Sequence, residues 1–410
     1  MRSGPGILFG VGNALNPLKP FSNEHLHNPM KRIDFIENSQ VIVIKVGSSL
    51  LVKNFVLEIS RLEELAQNIH QLRQSGKKVI LVTSGAMACG MSRLGLNRKR
   101  GDIPFKQAMA AVGQGILMQN YCQVFSQIGI PVAQILLAPE DVHNRHKYLN
   151  ARNTFQTLLD LNVLPIVNEN DTVAIAELKF GDNDRLSALV ASLINAQLLI
   201  ILSDIEGLFT ADPKKNSNAI LIKEVERIDE SIEKMAGREG SSISTGGMKS
   251  KIMASRMATF SGIGVILALG KDFSIIQRIF AGDEVGTFFY PQTKILKNRK
   301  RWIAFGMMTR GRVIIDEGAN LALMRNKSLL PAGIRGVEGV FDAGDCIEVV
   351  NEKGRAVAKG LVNFSSTELK KIRGLHTTEL QEVFFNQEIN VEVIHVDNLV
   401  LFNQEEKENG

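Results

Sequence analysis

The feature that most limits how this chain can fold is a repeated alternation of two kinds of segment. From Gln40 to about Phe289, short apolar runs rich in Val and Ile alternate with longer segments whose apolar residues recur at helical spacing. The short runs predict buried strands, and the helical spacing predicts amphipathic helices. Strands and helices in alternation fold into a mostly parallel sheet with helices on both faces. We therefore predict an α/β fold for this part of the chain.

The predicted elements have the lengths that such a fold needs. The first helix ends just before Gly76, a residue that commonly terminates helices. The predicted strands are residues 41–44, 78–82, 131–136, 163–167, 198–202 and 265–268. The predicted helices are residues 59–74, 107–128, 151–161, 186–194 and 248–260.

The alternation stops near Pro291, and a different pattern follows. A basic stretch runs from Lys294 to Arg301, and beyond it short apolar runs such as 311–316 and 345–350 are bounded by glycine. That rhythm is typical of a small β-rich domain. We place the boundary near residue 295, with a first domain over residues 39–294, a second with its linker over 295–400, and a polar tail over 401–410.

The first residues differ from the rest. The segment 1–29 is rich in proline, has no acid before Glu24, and lacks the continuous apolar stretch of a secretory signal. Only Arg2 and Lys19 carry charge before Glu24, which argues against a transit segment. Two interpretations stay open: residues 1–38 form a disordered extension, or Met30 is the natural initiator.

Composition narrows the class of protein. No apolar run approaches the roughly 20 residues of a membrane span. The three cysteines, Cys89, Cys122 and Cys346, are far apart and form no CxxC pair, so we expect neither a disulfide framework nor a structural zinc site, and we expect a cytoplasmic protein. The net charge of +5 is compatible with anionic substrates or weak nucleic-acid contact and decides nothing alone.

Two polar clusters lie beside the fourth predicted strand. Asn168-Glu169-Asn170-Asp171 ends that strand, and Gly181-Asp182-Asn183-Asp184 follows after a short interval. Open α/β sheets bind ligands at the carboxyl ends of their strands. Amides there can donate to a carboxylate, and acidic groups can accept from an ammonium group or hold a metal ion. The alternative is a pair of ordinary turns, because Asn, Asp and Gly are also common turn formers.

Three glycine-bearing turns offer sites for phosphate. They are residues 45–49 (KVGSS), 83–86 (TSGA) and 244–251 (STGGMKSK), each directly after a predicted strand or opening a helix. Their backbone N–H groups, with Lys45 and Lys251, would suit a polyphosphate. The usual Gly-x-x-x-x-Gly-Lys-[Ser/Thr] and Gly-x-Gly-x-x-Gly motifs are absent. Ordinary βα-loop chemistry is the alternative for each turn taken separately.

These motifs, in this order and spacing, resemble those of the glutamate 5-kinases, which are members of the amino acid kinase family. The resemblance covers about residues 38–400 and includes SDIEGLFTADP at 203–213 and FGDND at 180–184. It implies the amino acid kinase fold, ATP-dependent phosphorylation of the glutamate γ-carboxylate as the first step of proline synthesis, and ATP with Mg²⁺ as cofactors. Segments 316–319 and 328–333 resemble a PUA domain, a module that binds RNA in other proteins.

The resemblance also implies roles for individual residues. Lys45 and Lys251 would be catalytic cations, with Asp182 orienting both lysines. Glutamate would contact Ser84, Asp171 and Asn183, with Asp171 suited to the α-ammonium. No side chain would ligate the metal directly, although Asp184 would assist at the metal–phosphate site. The ATP-binding residues would be Lys45, Gly47, Ser203, Asp204, Thr245, Gly246, Gly247, Met248, Lys249, Ser250 and Lys251. The additional cation Lys249 departs from the family pattern and has no assigned role.

Several partners and alternatives accompany this interpretation. The family implies feedback inhibition by proline, a homo-oligomer, and hand-off of the product to glutamate-5-semialdehyde dehydrogenase; RNA binding stays open. The nearest alternative is another amino acid kinase acting on acetylglutamate, aspartate, carbamate or a nucleotide monophosphate. The cluster at 168–171 favours a free amino acid as substrate, because an ammonium group needs a carboxylate partner. An RNA-binding regulatory protein is the alternative from a different class.

Overall fold

The structure is a computed structural model that describes residues 31–96, 102–138, 141, 144–173, 183–213, 215–237, 247–292, 300, 302–375, 379 and 392–402. The prediction that residues 1–38 are disordered was wrong for the last part of this segment, because Arg32–Asn38 form a helix, α1. Its residues Phe35 and Ile36 are buried, and Arg32 Nη2 donates to the Val285 carbonyl oxygen at 2.5 Å. Burial of these two side chains explains why the helix forms there.

The larger sheet has eight strands in the order β5-β6-β4-β1-β7-β9-β10-β8. Neighbouring strands are parallel except β9 and β10, so the prediction of a mostly parallel sheet is confirmed. A two-stranded hairpin, β2 (Val52–Lys53) and β3 (Val56–Leu57), stands apart from it. The eight strands are β1 (Val41–Val46), β4 (Lys78–Val82), β5 (Val132–Leu137), β6 (Leu164–Glu169), β7 (Leu198–Ser203), β8 (Glu224–Val225), β9 (Gly264–Leu269) and β10 (Thr287–Phe289).

Helices cover both faces of this sheet, because its strands are apolar on both. In β1, Ile42 and Ile44 contribute to one hydrophobic cluster and Val43 to the other, as the two-residue period of a strand requires. The first cluster includes α1, α3, α5 and α10, and the second includes α6, α7 and α9. The helices are α2 (Ser48–Leu51), α3 (Ile59–Gln74), α4 (Ala86–Arg93), α5 (Ile103–Gln127), α6 (Arg145–Asp160), α7 (Asn183–Leu193), α8 (Glu230–Gly237), α9 (Met248–Phe260) and α10 (Ile275–Phe280).

Predicted and observed bounds agree best where the apolar pattern is continuous. Helices α3 and α9 and strand β4 have the predicted bounds. Helix α6 begins at Arg145 and not at residue 151, because the Asn144 side chain accepts hydrogen bonds from the N–H groups of His146 and Lys147, at 3.0 and 3.1 Å. Such a cap starts a helix whose first turn is polar.

Helix α4 was not predicted, and two glycines explain how it fits. A Cβ on Gly113 of α5 would stand 1.8 Å from the Ala86 carbonyl oxygen, and one on Gly90 of α4 would stand 1.9 Å from the Met109 carbonyl oxygen. The backbones of α4 and α5 therefore touch, and no larger residue fits between them. This contact fixes α5 against the turn that precedes α4.

The C-terminal part forms a separate five-stranded sheet in the order β12-β11-β13-β14-β15, which confirms the predicted β-rich domain. It has its own core, in which Val313, Val349 and Leu369 are fully buried. Its strands are β11 (Thr309–Ile315), β12 (Ile334–Gly339), β13 (Cys346–Asn351), β14 (Ala356–Leu361) and β15 (Leu399–Leu401), and its helices are α11 (Glu317–Met324) and α12 (Ser366–Ile372).

A π-helical turn, Trp302–Gly306, connects the two sheets. Its residues Trp302, Ile303 and Ala304 belong to the same hydrophobic cluster as α7 and α9, together with Cys346 of the C-terminal sheet. Half-buried Lys359 of β14 donates from Nζ to the carbonyl oxygens of Ala304 and Met307. The predicted boundary near residue 295 lies outside the described residues. Within the described ranges, none of the helices has the length and apolar character needed to cross a membrane.

Candidate active site

The predicted site residues follow strands that lie side by side in the sheet. Strands β6, β4, β1 and β7 are adjacent and parallel, so their carboxyl ends form one edge. From β1 the chain goes to the β4 side and from β7 to the β9 side, which opens a crevice between β1 and β7. Lys45 lies at the end of β1, and Ser203 ends β7.

A buried carboxylate holds the two predicted catalytic lysines. Asp184, at the start of α7, is 0% exposed; its Oδ1 is 2.5 Å from Lys45 Nζ and its Oδ2 is 2.9 Å from Lys251 Nζ. Burial alone would raise the pKa of Asp184, but the charges and hydrogen bonds of the two lysines outweigh it and hold the pKa below its ordinary value. Among the described residues, two cations and one anion meet in this buried cluster, and this excess of positive charge suits an incoming anion.

The carboxylate that the described residues place between the two lysines is Asp184. The sequence assigned the orientation of both lysines to Asp182 and a place at the metal–phosphate site to Asp184. In the structure Asp184 contacts both lysines, and Asp182 lies outside the described residues. Asp184 stands at the start of α7 with its side chain fully buried, and the predicted role of Asp182 stays a prediction.

The neighbouring residue, Asn183, joins a separate network of amides. Its Nδ2 donates to the Thr83 carbonyl oxygen at 2.5 Å, to Ser84 Oγ at 2.9 Å and to Asn168 Oδ1 at 2.8 Å. Asn168 Nδ2 in turn donates to Gln114 Oε1 at 2.8 Å. The structure therefore brings Ser84 and Asn183, two predicted glutamate-binding residues, into direct contact.

A tyrosine of α5 contacts the turn that follows β4. The Tyr121 hydroxyl lies 2.6 Å from Thr83 Oγ1, and both side chains are buried. Burial raises the pKa of the Tyr121 hydroxyl, so it stays neutral and hydrogen-bonds to Thr83. Sequence reasoning missed Tyr121 and Gln114, because both lie within an ordinary apolar helical pattern, and Gln114 gave no signal beyond being a polar residue in that pattern.

Asp171, the third predicted glutamate-binding residue, lies just beyond β6. It stands in a turn over residues 171–173 and is half-buried. The Asn170 N–H donates to the Leu137 carbonyl oxygen at 2.9 Å, which ties the start of this turn to β5. Asp171 is thus at the same edge of the sheet as Ser84.

Two glycines at helix starts leave space where a side chain would otherwise be. Gly47 precedes α2 with φ −72°, and Gly247 precedes α9 with φ −62°, values that any residue adopts. A Cβ on Gly47 would come no closer than 3.8 Å to any atom, including Lys45 Nζ, and one on Gly247 would meet nothing within 4 Å. The protein's own packing therefore does not require glycine at either position. Helix starts of this kind present unpaired N–H groups to anions.

The other predicted nucleotide contacts divide between the crevice and the surface. Ser203 is buried, and its Oγ donates to Asp204 Oδ1 at 3.0 Å, while Asp204 itself is exposed. Met248 and Ser250 are half-buried and Lys249 is exposed. Thr245 and Gly246 lie outside the described residues.

The loop after Asp204 is anchored by a residue that sequence reasoning missed. The Leu208 N–H donates to Thr287 Oγ1 at 2.8 Å, and Thr287 Oγ1 donates to the Ile222 carbonyl oxygen at 2.6 Å. Thr287 is fully buried in β10. A Cβ on Gly207 would stand 2.6 Å from the same hydroxyl, so this glycine is needed for close approach.

Comparisons with known proteins agree with this arrangement. The profile of the amino acid kinase family matches residues 40–268, and that of the PUA domain matches residues 311–384. Glutamate 5-kinase of Carboxydothermus hydrogenoformans is 46% identical over 371 residues, which is 90% of this chain and 99% of the relative. Glutamate 5-kinases of Caldanaerobacter subterraneus (46%, covering 100% of the relative) and Syntrophotalea carbinolica (44%, covering 99%) are similar over the same share of this chain.

Among solved structures, carbamate kinase from Giardia lamblia bound to AMP-PNP is similar over 62% of this chain and 99% of that chain, with 15% identity and a TM-score of 0.46. The family profile spans more than half of the chain, and the relatives at 44–46% identity are covered almost completely. The chain belongs to the amino acid kinase family.

Proposed function

We propose that this protein transfers the γ-phosphoryl group of ATP to the γ-carboxylate of L-glutamate, the first step of proline synthesis. A γ-carboxylate oxygen of glutamate forms a bond to the γ-phosphorus of ATP, the bond from that phosphorus to the β–γ bridging oxygen breaks, and ADP leaves. The products are L-glutamyl 5-phosphate and ADP. Relatives at 44–46% identity over nearly their whole length carry the name glutamate 5-kinase, which supports this substrate.

The main support for the proposal is that two consecutive residues contact two different parts of the site. Asn183 contacts the Ser84 and Asn168 side, and Asp184 contacts the Lys45 and Lys251 side. A single helix start thus connects an amide-rich site, suited to an amino acid, with a cationic site, suited to phosphate. Phosphoryl transfer depends mainly on such positioning and charge neutralisation.

The cationic side would neutralise charge as the phosphoryl group moves. Lys45 and Lys251 are 6% and 5% exposed, so their charges act in a site from which most water is excluded, where electrostatic stabilisation is strong. Asp184 keeps both ammonium groups in place. The open space at Gly47 and Gly247 lets the backbone approach phosphate oxygens.

Mg²⁺ fits this site as an ion held mainly by ATP phosphates. Both carboxylate oxygens of Asp184 face lysine ammonium groups, and the described residues contain no cluster of three or more His, Cys, Asp or Glu side chains arranged to hold a metal. Mg²⁺ commonly keeps several waters and binds through phosphates with few protein ligands. When bound, it would neutralise charge on the phosphates.

The amide-rich side supports a free amino acid over the other substrates of the family. Asp171 supplies a carboxylate for the α-ammonium, and acetylglutamate, carbamate and nucleotide monophosphates carry no ammonium group to pair with it. Aspartate keeps the ammonium group but is one methylene shorter, so its carboxylate would stand farther from the phosphate side. Such a misplacement lowers the rate.

The activity is tested with purified protein, Mg-ATP and a panel of acceptors. Glutamate should yield an acyl phosphate that hydroxylamine traps as the hydroxamate, and ADP should form faster with glutamate than with N-acetylglutamate, aspartate, carbamate or UMP. A higher rate with N-acetylglutamate than with glutamate would overturn the choice of substrate. Absence of turnover together with tight, salt-sensitive RNA binding would instead support a regulatory protein.

The assignment of Asp171 is tested by Asp171→Ala. Loss of a charge-assisted partner for the α-ammonium should raise the glutamate KM by about tenfold or more and leave the ATP KM nearly unchanged. The exposed Asp160 serves as a control position outside the site. An equal rise in both KM values would remove Asp171 from the glutamate site.

Further parts of the proposal concern regulation and location. Proline would compete with glutamate for the same ammonium and carboxylate contacts, so its inhibition should weaken as glutamate rises. The protein would act in the cytoplasm as a homo-oligomer and pass its unstable acyl phosphate to glutamate-5-semialdehyde dehydrogenase. Comparing the full chain with a form ending near Pro291 would reveal what the C-terminal domain, including any RNA binding, contributes.

A further inference from the structure

The amide network around Asn183 has an orientation that two backbone groups dictate. The Glu169 N–H, which can only donate, points to Asn168 Oδ1 at 2.9 Å. The Thr83 carbonyl, which can only accept, receives Asn183 Nδ2 at 2.5 Å. Amide side chains can be placed either way round when nothing fixes them. Here the backbone removes that freedom at both ends.

The orientation of each amide side chain determines which atom it presents to the next one. Because Asn168 Oδ1 faces the Glu169 N–H and Asn183, its Nδ2 must face outward, where Gln114 Oε1 accepts it at 2.8 Å. Every hydrogen bond of the Asn183 side chain within the described part of the chain leaves from Nδ2. Its Oδ1 is the atom left over, and a carboxamide oxygen is an acceptor.

Gln114 is held firmly enough to act as an anchor. It neighbours Gly113, the glycine whose Cβ would stand 1.8 Å from the Ala86 carbonyl oxygen of α4. Seven residues further along α5, which is about two helical turns, Tyr121 contacts Thr83 at 2.6 Å. Helix α5 therefore supports both strands of the network, Thr83 after β4 and Asn168 in β6.

We propose that Gln114 is a positioning residue for the amino acid site, and that through Asn168 it holds Asn183 with its carboxamide oxygen available to the α-ammonium of the substrate. This inference rests on the proposed function, since it concerns the site for glutamate. Without the Gln114 acceptor, Asn168 Nδ2 loses its partner and the Asn168 side chain is held less firmly, which weakens the hydrogen bond from Asn183 Nδ2 to Asn168 Oδ1. The Asn183 carboxamide oxygen is then positioned less precisely for the α-ammonium of the substrate.

The test compares Gln114→Met, which keeps the length of the side chain and removes the acceptor, with Gln114→Glu, which keeps an acceptor. Loss of one hydrogen bond of this kind corresponds to about a tenfold effect at most. Gln114→Met should raise the glutamate KM by about three- to tenfold, with kcat and the ATP KM within about twofold of the wild type. Gln114→Glu should stay within about twofold of the wild type in all three.

The acceptor panel separates positioning from general damage. N-acetylglutamate has no α-ammonium, so its weak activity should be unchanged in Gln114→Met, and the preference for glutamate over N-acetylglutamate should fall by the same factor as the rise in KM. Because Gln114 is half-buried on a helix, Gln114→Ala is a second variant with the same expectation if the Met variant does not fold.

Three outcomes would overturn the inference. They are an unchanged glutamate KM in a folded Gln114→Met or Gln114→Ala protein, a parallel rise in the glutamate and ATP KM values, and a Gln114→Glu protein as impaired as Gln114→Met. A wild-type protein that does not phosphorylate glutamate would overturn the proposed function itself and with it this inference. Activity of the wild type therefore tells the two failures apart.

Discussion

Replacing Asp184 by Asn tests the charge cluster most directly. The side chains have nearly the same shape, so the change removes a charge without creating a cavity. It removes the carboxylate that contacts both Lys45 and Lys251, which are 6% and 5% exposed. In the wild type these groups lie 2.5 and 2.9 Å from the Asp184 oxygens.

The expected loss of stability follows from burial. Removing one partner of a buried ion pair costs about 3–5 kcal/mol, because the remaining charge is left uncompensated away from water. For a domain of this size, each kcal/mol corresponds to about 2–4 °C in Tm, so Asp184→Asn should lower Tm by roughly 6–20 °C. Mg-ATP supplies negative charge to the same place and should raise the Tm of the variant more than that of the wild type.

A matched control uses an exposed pair of the same kind. Lys78 Nζ lies 3.0 Å from Asp160 Oδ1, but these side chains are 41% and 40% exposed. Exposed pairs contribute about 0–1 kcal/mol, so Asp160→Asn should change the free energy of unfolding by no more than that. Thermal and urea unfolding of both variants measure the difference. Equal losses in the two variants, or no loss in Asp184→Asn, would refute the argument that burial makes this carboxylate important.

The pH dependence gives the same test a second readout. The pKa of Asp184 is lower in the folded state than its ordinary value, so the unfolded state takes up a proton at this carboxyl group before the folded state does. Its contribution is present above the unfolded pKa of about 3.9 and is lost as pH falls through the folded pKa. The difference in stability between wild type and Asp184→Asn should therefore be constant near neutral pH and shrink below about pH 4.

Further predictions concern α5 and the thiols. Gly113→Ala should lower the free energy of unfolding by about 1–3 kcal/mol, because the Cβ of the alanine would overlap the backbone of α4. Gly115→Ala on the same helix meets nothing within 4 Å and should stabilise by about 0.5–1 kcal/mol; urea unfolding of both variants measures the contrast. Burial raises the pKa of Cys89 and of Cys346 to about 11, whereas Cys122 is exposed. Ellman's reagent at pH 8 should therefore react rapidly with Cys122 alone, and Cys122→Ser should abolish the rapid phase.

The fold was predictable to the extent that each element carried its own apolar pattern. Helix α9 and strand β4 were predicted with their observed bounds, since their apolar residues begin and end where the element does. Helix α6 was predicted too short, because its first turn depends on the Asn144 cap and not on apolar residues. Helix α4 was missed because its place depends on Gly90 meeting α5, a contact between distant residues that no local pattern reveals.

The site was predictable in its residue types but not in its pairings. The sequence placed Lys45 and Lys251 in one site through the family resemblance and assigned their orientation to Asp182, whereas the structure shows Asp184 in contact with both. Consecutive residues at the start of a helix point about 100° apart, so a shift of one or two positions changes which side chain faces the lysines. Gln114 gave no such signal at all, since its role depends on the distance from Asn168.

The start of α7 explains why the two halves of the site should respond together to distant changes. Asn183 and Asp184 are consecutive, and the α7 side chains are buried along the whole helix except at Arg185. The tight packing of all its remaining side chains leaves α7 little freedom to shift alone. A substitution that moves α7 would therefore displace the amide side and the lysine side by similar amounts, and both KM values would change. A substitution that acts through Gln114 weakens the hydrogen bonds of the amide network and leaves α7 in place, so only the glutamate KM changes. The ratio of the two KM effects thus separates movement of the helix from weakening of the amide network.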